Sequence, residues 1–103
     1  MAIDDGFRAY VDELFLPLGD VRIKAMMGGL MVWESGDAFA LVTSDCRIHL
    51  KADEATCAAF EDRGGERFKR MPYWEVPADV LEDPELFREW AERAIAHGHA
   101  TAG

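Results

Sequence analysis

The sequence predicts an α+β domain, built on a single antiparallel sheet of five to six strands with flanking helices. Apolar residues recur at three- and four-residue spacing near both ends of the chain, which is the period of one helix face. Between these ends, residues 21–51 contain four short segments of strand character. Turns of only a few residues separate them, and strands joined so closely must be antiparallel. The expected order of elements is therefore α-β-β-β-β-α-β(-β)-α.

The first helix is predicted over residues 5–16. Asp4 and Asp5 stand where carboxylates stabilise a helix N-terminus. Pro17 and Gly19 follow the last apolar turn, and both residue types end helices.

Four strands are predicted next, over residues 21–26, 30–34, 38–43 and 46–51. The outer two alternate apolar and basic residues, as half-buried strands do, whereas the middle two are apolar on both faces, which is typical of central strands. Gly28 and Gly29 permit a tight connection or a bulge. Residues 34–37 have the turn chemistry of a hairpin.

The middle of the chain predicts a second, shorter helix over residues 54–63. Asp53 is a suitable cap for its start, and Gly64 follows its end. One or two short strands are expected afterwards, over residues 67–69 and 73–76.

The last helix has the clearest signals. Asp83 is the expected N-cap, Pro84 takes the first helical position, and Gly98 is the expected C-cap. We therefore expect one domain over residues 1–97 and a flexible tail over residues 98–103. The predicted buried face of this helix consists of Leu86, Phe87, Trp90, Ala91, Ala94 and Ile95.

The composition excludes several classes of protein. The chain has 103 residues, and 20 Asp and Glu against 11 Lys and Arg give it a formal net charge of −9. Proteins that bind DNA carry a basic face, so direct nucleic-acid binding is not expected. The N-terminus lacks the pattern of a signal peptide, and the longest apolar run, residues 30–33, is far shorter than the roughly 20 residues of a membrane span. Without a membrane segment and with two cysteines, the protein is expected to be reduced and cytoplasmic.

A family resemblance extends over nearly the whole chain. It is carried, in this order and spacing, by residues 21–29, 39–41, 48–54, 71–74, 76–77 and 83–96, together with Phe60, Gly64 and Phe68. With these residues the chain resembles the N-terminal domain of the TfoX/Sxy regulators of bacterial competence, in a stand-alone form. It departs from the family pattern at Met27 and at residues 31–33. The second, C-terminal helical domain of the full-length regulators is not expected here.

The resemblance implies a fold similar to that of type III secretion chaperones, with the element order given above. It also implies a regulatory role, because full-length members act as transcriptional co-activators beside the cAMP receptor protein. It supplies no catalytic residue.

The candidates for catalysis or metal binding are few. His49 lies in the fourth predicted strand and is expected on a solvent-exposed face. Cys57 is expected to pack as a small apolar residue, and Cys46 stands beside a turn. A thiol–imidazole pair from these residues is the catalytic alternative. His97 and His99 fall near the predicted tail, which offers no rigid geometry for a metal. We therefore expect no enzyme, no metal and no cofactor.

Recognition is better supported than catalysis. Arg22 and Lys24 share one side of their strand, because alternate residues face the same way; Arg47, His49 and Lys51 share one side of another. Methionine and aromatic residues are frequent at adaptable binding surfaces. The candidate interaction surface consists of Arg22, Lys24, Met26, Met27, Gly28, Gly29, Met31, Trp33, Arg47, Lys51, Tyr73 and Trp74.

The sequence thus predicts a non-enzymatic regulatory domain that acts by binding a protein partner, for which a transcription regulator is a candidate. A chaperone-like dimer is the first alternative, and a homodimer is left open. A small-molecule-binding protein or an enzyme is the second alternative.

Overall fold

A computed structural model of the chain describes residues 3–26, 28–52 and 56–101. The predicted α+β class and the predicted order of elements are confirmed. The elements are helix α1 (Asp5–Phe15), a 3-10 turn (Leu16–Leu18), strands β1 (Val21–Met26), β2 (Gly29–Glu34), β3 (Asp37–Val42) and β4 (Ile48–Lys51), helix α2 (Cys57–Asp62), strand β5 (Tyr73–Glu75), and helices α3 (Ala78–Leu81) and α4 (Pro84–Thr101).

The five strands form one antiparallel sheet in the order β1-β2-β3-β4-β5. Ser35 and Gly36, with φ of 50° and 90°, make the tight turn between β2 and β3. A bulge at Phe39 shifts the register within that pair. The optional sixth strand is reduced to a single bridge, in which Arg67 pairs with Trp74 along the outer edge of β5.

The helices cover one face of the sheet. Strand residues such as Val32 and Leu50 share a single hydrophobic core with Phe15 of α1 and Phe87 of α4. Phe60 of α2 and Val80 of α3 belong to the same core. Each of the four described helices therefore packs on the same side, and apolar burial there supplies the main favourable term for folding.

The helix starts follow the sequence. A carboxylate oxygen of Asp4 accepts a hydrogen bond from the backbone N–H of Phe7 over 2.8 Å, and Asp83 accepts one from Leu86 over 3.2 Å. Each bond satisfies a backbone donor that has no partner within its helix.

The predicted end of α4 is wrong. The helix continues through Gly98 to Thr101, so Gly98 is not its cap and His99 lies in a regular helical turn. A Cβ at Gly98 would lie 2.7 Å from the carbonyl oxygen of Ala38. The missing side chain therefore serves close packing of α4 on the start of β3.

Helix α2 is described only from Cys57, and the predicted cap Asp53 lies outside the described residues, as does Met27. The short helix α3 was not predicted. No described helix is long and apolar enough to cross a membrane.

Candidate functional site

The sheet has a second face, turned away from the helices, which we call the free face. Alternate residues of a strand point to opposite sides, so the strand register defines its members. They are Arg22, Lys24 and Met26 of β1, Met31 and Trp33 of β2, Leu41 of β3, His49 and Lys51 of β4, and Tyr73 and Glu75 of β5.

The middle of the free face is apolar. Met31 lies opposite Leu41 in the neighbouring strand, and Leu41 is buried without belonging to the core under the helices. Trp33 is half-buried, and Met26 exposes 49% of its surface at the end of β1. Methionine and tryptophan side chains that are partly exposed side by side on a sheet make an adaptable apolar surface.

The β1 end of the free face is basic. Arg22 pairs with Trp33 and Lys24 with Met31 in the strand register, so both cations border the apolar residues. Both are exposed, and neither forms an ion pair within the described residues. Their charges are available to a partner.

The positive charge of Arg47, at the other end of the sheet, is already paired with carboxylates of this chain. Its guanidinium lies 3.2 Å from a carboxylate oxygen of Glu75 and 3.0 Å from one of Asp45. The carboxylates of Glu75 and then Asp45 raise the pKa of Arg47. Arg47 therefore contributes less to binding an acidic partner than Arg22 and Lys24 do.

The prediction that His49 is exposed is wrong, although its face is the predicted one. His49 retains 5% of its exposure, and the ring of Phe68 packs edge-on against it with centroids 5.4 Å apart. Its Nδ1 donates a hydrogen bond to the carbonyl oxygen of Arg47 over 3.2 Å, and burial lowers the pKa of the imidazole. His49 is accordingly a neutral, structural histidine at neutral pH.

Three other residues of the predicted interaction surface offer little to a partner, because each is buried or bonded within the chain. Trp74 is buried on the helix side, with the guanidinium carbon of Arg67 5.0 Å from its ring centroid, so it offers no binding surface. Tyr73 is on the free face but 3% exposed. Lys51 is paired with Tyr73 on the free face, but its amine donates a hydrogen bond to the hydroxyl of Thr101 in α4 over 2.8 Å.

The two candidate glycines have different roles. Gly28 is exposed in the turn between β1 and β2 with φ of 84°. Gly29 is half-buried, and any side chain on it would collide with the backbone of Val42. The close approach at Gly29 is therefore made by this chain's own β3, without a second chain.

The residues considered for catalysis are the two cysteines and His49. Both cysteines are free; Cys46 is exposed, and Cys57 is half-buried against the core. Beside His49 lies an open groove of about 620 Å³, with Phe68 and Lys69 on one side. No three His, Cys, Asp or Glu residues among those described are placed to hold a metal ion.

One cluster was missed by the sequence analysis. His99 lies between Glu34 and Asp37, which flank the turn joining β2 to β3. The hydrogen bond from His99 is the main cause of a lowered pKa for the Glu34 carboxyl. No sequence signal connects residues more than 60 positions apart, so only the packing of α4 on β3 brings them together.

A family model for the TfoX N-terminal domain matches residues 13–98 of the 103-residue chain. No curated protein matches it. The matched residues include the whole sheet and α4 up to Gly98. The chain therefore belongs to the TfoX N-terminal domain family.

Proposed function

We propose that this domain is a non-enzymatic regulatory module that binds a protein partner through its free face. The observation that carries the proposal is the arrangement at the β1 end of the sheet. There, Met26, Met31 and Trp33 lie beside two cations, Arg22 and Lys24, that have no ion pair within the described residues. An apolar patch bordered by unpaired charge is the usual composition of a transient protein interface.

A protein suits this surface better than a nucleic acid. Binding a phosphate backbone depends on several Lys and Arg contacts, each of which releases counterions. The free face offers Arg22 and Lys24 on a chain of net charge −9, and Arg47 is held by two carboxylates. Long-range repulsion from the whole chain would oppose the phosphate backbone, whereas a small acidic patch on a protein meets the two cations locally.

Membership of the TfoX N-terminal family favours a transcription regulator as the partner. The proposal therefore places the domain in the cytoplasm, where it would act as a co-regulator by contact. Its effect on transcription would then depend on the same side chains as the contact itself.

Site-specific photo-crosslinking in cells tests this proposal. A benzoylphenylalanine is placed at Trp33 or Met26 on the free face and, as matched controls, at Arg88 or Glu92, which are exposed on α4. After irradiation, crosslinked species are identified by mass spectrometry. We expect one specific protein to be crosslinked from both free-face positions and from neither position on α4.

The same experiment distinguishes the other candidates. A product of twice the mass of the chain from Trp33 would indicate that the free face is a homodimer interface. Equal crosslinking from α4 and the free face, or none from the free face, would contradict the proposal. A transcriptome of cells carrying Arg22→Glu together with Lys24→Glu should then match that of cells lacking the protein.

A further inference from the structure

We propose that the outer edge of β1 receives an extended acidic segment of the partner as an added strand of the sheet. This inference rests on the proposed function, because it names how the partner would bind at the basic end of the free face. The mode is β-augmentation, in which main-chain hydrogen bonds hold the segment and alternate side chains select it.

The direction of the β1 backbone groups follows from one hydrogen bond. The N–H of Ser35 donates to the carbonyl oxygen of Asp20 over 2.9 Å, and these two residues continue the register of β1 with β2. Hydrogen-bonded and non-hydrogen-bonded pairs alternate along an antiparallel ladder. Arg22, Lys24 and Met26 are therefore the residues whose N–H and C=O groups bond to β2.

The N–H and C=O groups of the intervening residues point outward, away from the sheet. Val21 uses its N–H locally, donating to the carbonyl oxygen of Gly19 over 2.9 Å. The carbonyl oxygen of Ile23 accepts a long bond of 3.4 Å from the guanidinium of Arg8. The N–H of Ile23 and both groups of Ala25 have no partner in the described residues, and Ala25 is exposed. An incoming strand would pair with these groups.

The charges on β1 select the incoming strand. Side chains directly opposite one another on adjacent strands approach within about 5 Å at Cβ, where opposite charges attract and like charges repel. Residues of the new strand opposite Arg22 and Lys24 lie on the free face beside them. Carboxylates at these alternate positions would form the ion pairs that both cations lack within the described residues.

The same charges disfavour a second copy of this chain on the edge. In an antiparallel pair of two β1 strands, the registers that align most of the strand place Arg22 opposite Lys24, or Lys24 opposite Lys24, of the other copy. Basic residues on an edge strand are a recognised means of preventing such self-pairing. An acidic segment turns this repulsion into attraction, so we infer a partner strand of alternating acidic and apolar residues.

Amide exchange measured by NMR tests the inference. The probe is a short synthetic peptide in which Glu alternates with Val, and its control has Lys in place of Glu. With the Glu peptide at about ten times its Kd, exchange of the Ile23 and Ala25 amides should slow about tenfold. The amides of Arg22 and Lys24, already bonded to β2, should change little, and the Lys peptide should protect none of them.

Two variants isolate the backbone and the charge. Ala25→Pro removes an outward N–H while leaving the bonds to β2, and Ala25→Thr retains that N–H as the matched control. The Glu peptide should protect Ile23 in the Thr variant and not in the Pro variant. If the Pro variant fails to fold, the double variant Arg22→Glu and Lys24→Glu tests the inference instead. In it, the Lys peptide should protect Ile23 and the Glu peptide should not.

The inference is overturned if the Glu peptide leaves Ile23 and Ala25 unprotected up to the millimolar range, or if both peptides protect them equally. Protection that grows with the concentration of the domain alone would indicate a second copy instead. Photo-crosslinking of a partner from Trp33 without peptide protection of Ile23 would refute strand addition and leave the proposed function standing. If no protein is crosslinked from Trp33 or Met26, the proposed function itself is refuted.

Discussion

Nδ1 of His99 lies 2.6 Å from a carboxylate oxygen of Asp37, and this contact joins the last turns of α4 to the hairpin between β2 and β3. Nε2 of the same ring lies 2.7 Å from Glu34. Both nitrogens can donate only when the imidazole is protonated. The hydrogen bond to Asp37 and then that to Glu34 raise the pKa of His99.

The contribution of His99 to stability therefore depends on pH in a defined direction. A raised pKa in the folded state means that the contribution is complete below the unfolded value of about 6.5 and is lost as the pH rises through the folded pKa. We expect amide exchange in residues 98–101, corrected for its intrinsic pH dependence, to accelerate severalfold between about pH 6 and about pH 8.5. In His99→Gln the corrected rate should be fast at both pH values. A wild-type rate independent of pH would contradict this contribution of His99.

His49 should respond in the opposite direction. Burial lowers the pKa of this imidazole, although the nearby carboxylates of Glu75 and Asp45 act against that shift. Stability should then decline as the pH falls from about 6.5 toward the folded pKa, because the unfolded chain takes up the proton more readily. Urea unfolding of the wild type and of His49→Gln at about pH 7 and about pH 5.5 measures this. Equal losses on acidification in both proteins would be inconsistent with a neutral, buried His49.

Gly98 should not tolerate a larger side chain. A Cβ there would lie 2.7 Å from the carbonyl oxygen of Ala38, a backbone atom that cannot move away alone. We expect Gly98→Val to lower the free energy of unfolding by about 1–3 kcal/mol, the usual range for an overpacked site. Ala100→Val, on an exposed position of the same helix, should cost about 0.5 kcal/mol. Similar values for the two variants in urea unfolding would disprove the close packing of α4 on β3.

The aromatic cluster under the sheet should dominate stability. Phe15 is fully buried, and its ring meets those of Phe39 and Phe87 edge-on at 5.7 and 5.6 Å between centroids. Phe15→Ala removes these contacts and leaves a cavity, so it should lower the free energy of unfolding by about 3–5 kcal/mol. Leu16→Ala, at the exposed neighbour, should change it by less than about 0.5 kcal/mol. A loss of unfolding free energy as small in Phe15→Ala as in Leu16→Ala would contradict a core centred on this ring.

Local patterns were sufficient to predict most of the fold. The alternation of residues in β1 gave its bounds, 21–26, without error, and Asp4 and Asp83 marked the starts of their helices. The same alternation placed Arg22 and Lys24 correctly on one side of the sheet. These features depend on neighbours within a few residues, which a sequence displays directly.

Contacts between distant residues account for what was missed. His49 was assigned to the correct face but not recognised as buried, because Phe68, which covers it, follows a separate helix. Glycine is typical of a helix cap, yet Gly98 lies within α4, at the point where the helix packs closely against the backbone of Ala38. Trp74 and Lys51 were placed on the interaction surface, although the first packs in the core and the second reaches α4.

The most direct test of the central claim is the affinity of the crosslinked partner for two charge-reversed variants. One carries Arg22→Glu and Lys24→Glu on the free face; the other carries Arg88→Glu and Arg93→Glu on α4 and has the same net charge. Isothermal titration calorimetry should show binding to the first variant at least about tenfold weaker than to the wild type, and to the second changed by less than about twofold. Equal weakening in both variants, or none in the first, would contradict recognition through the free face.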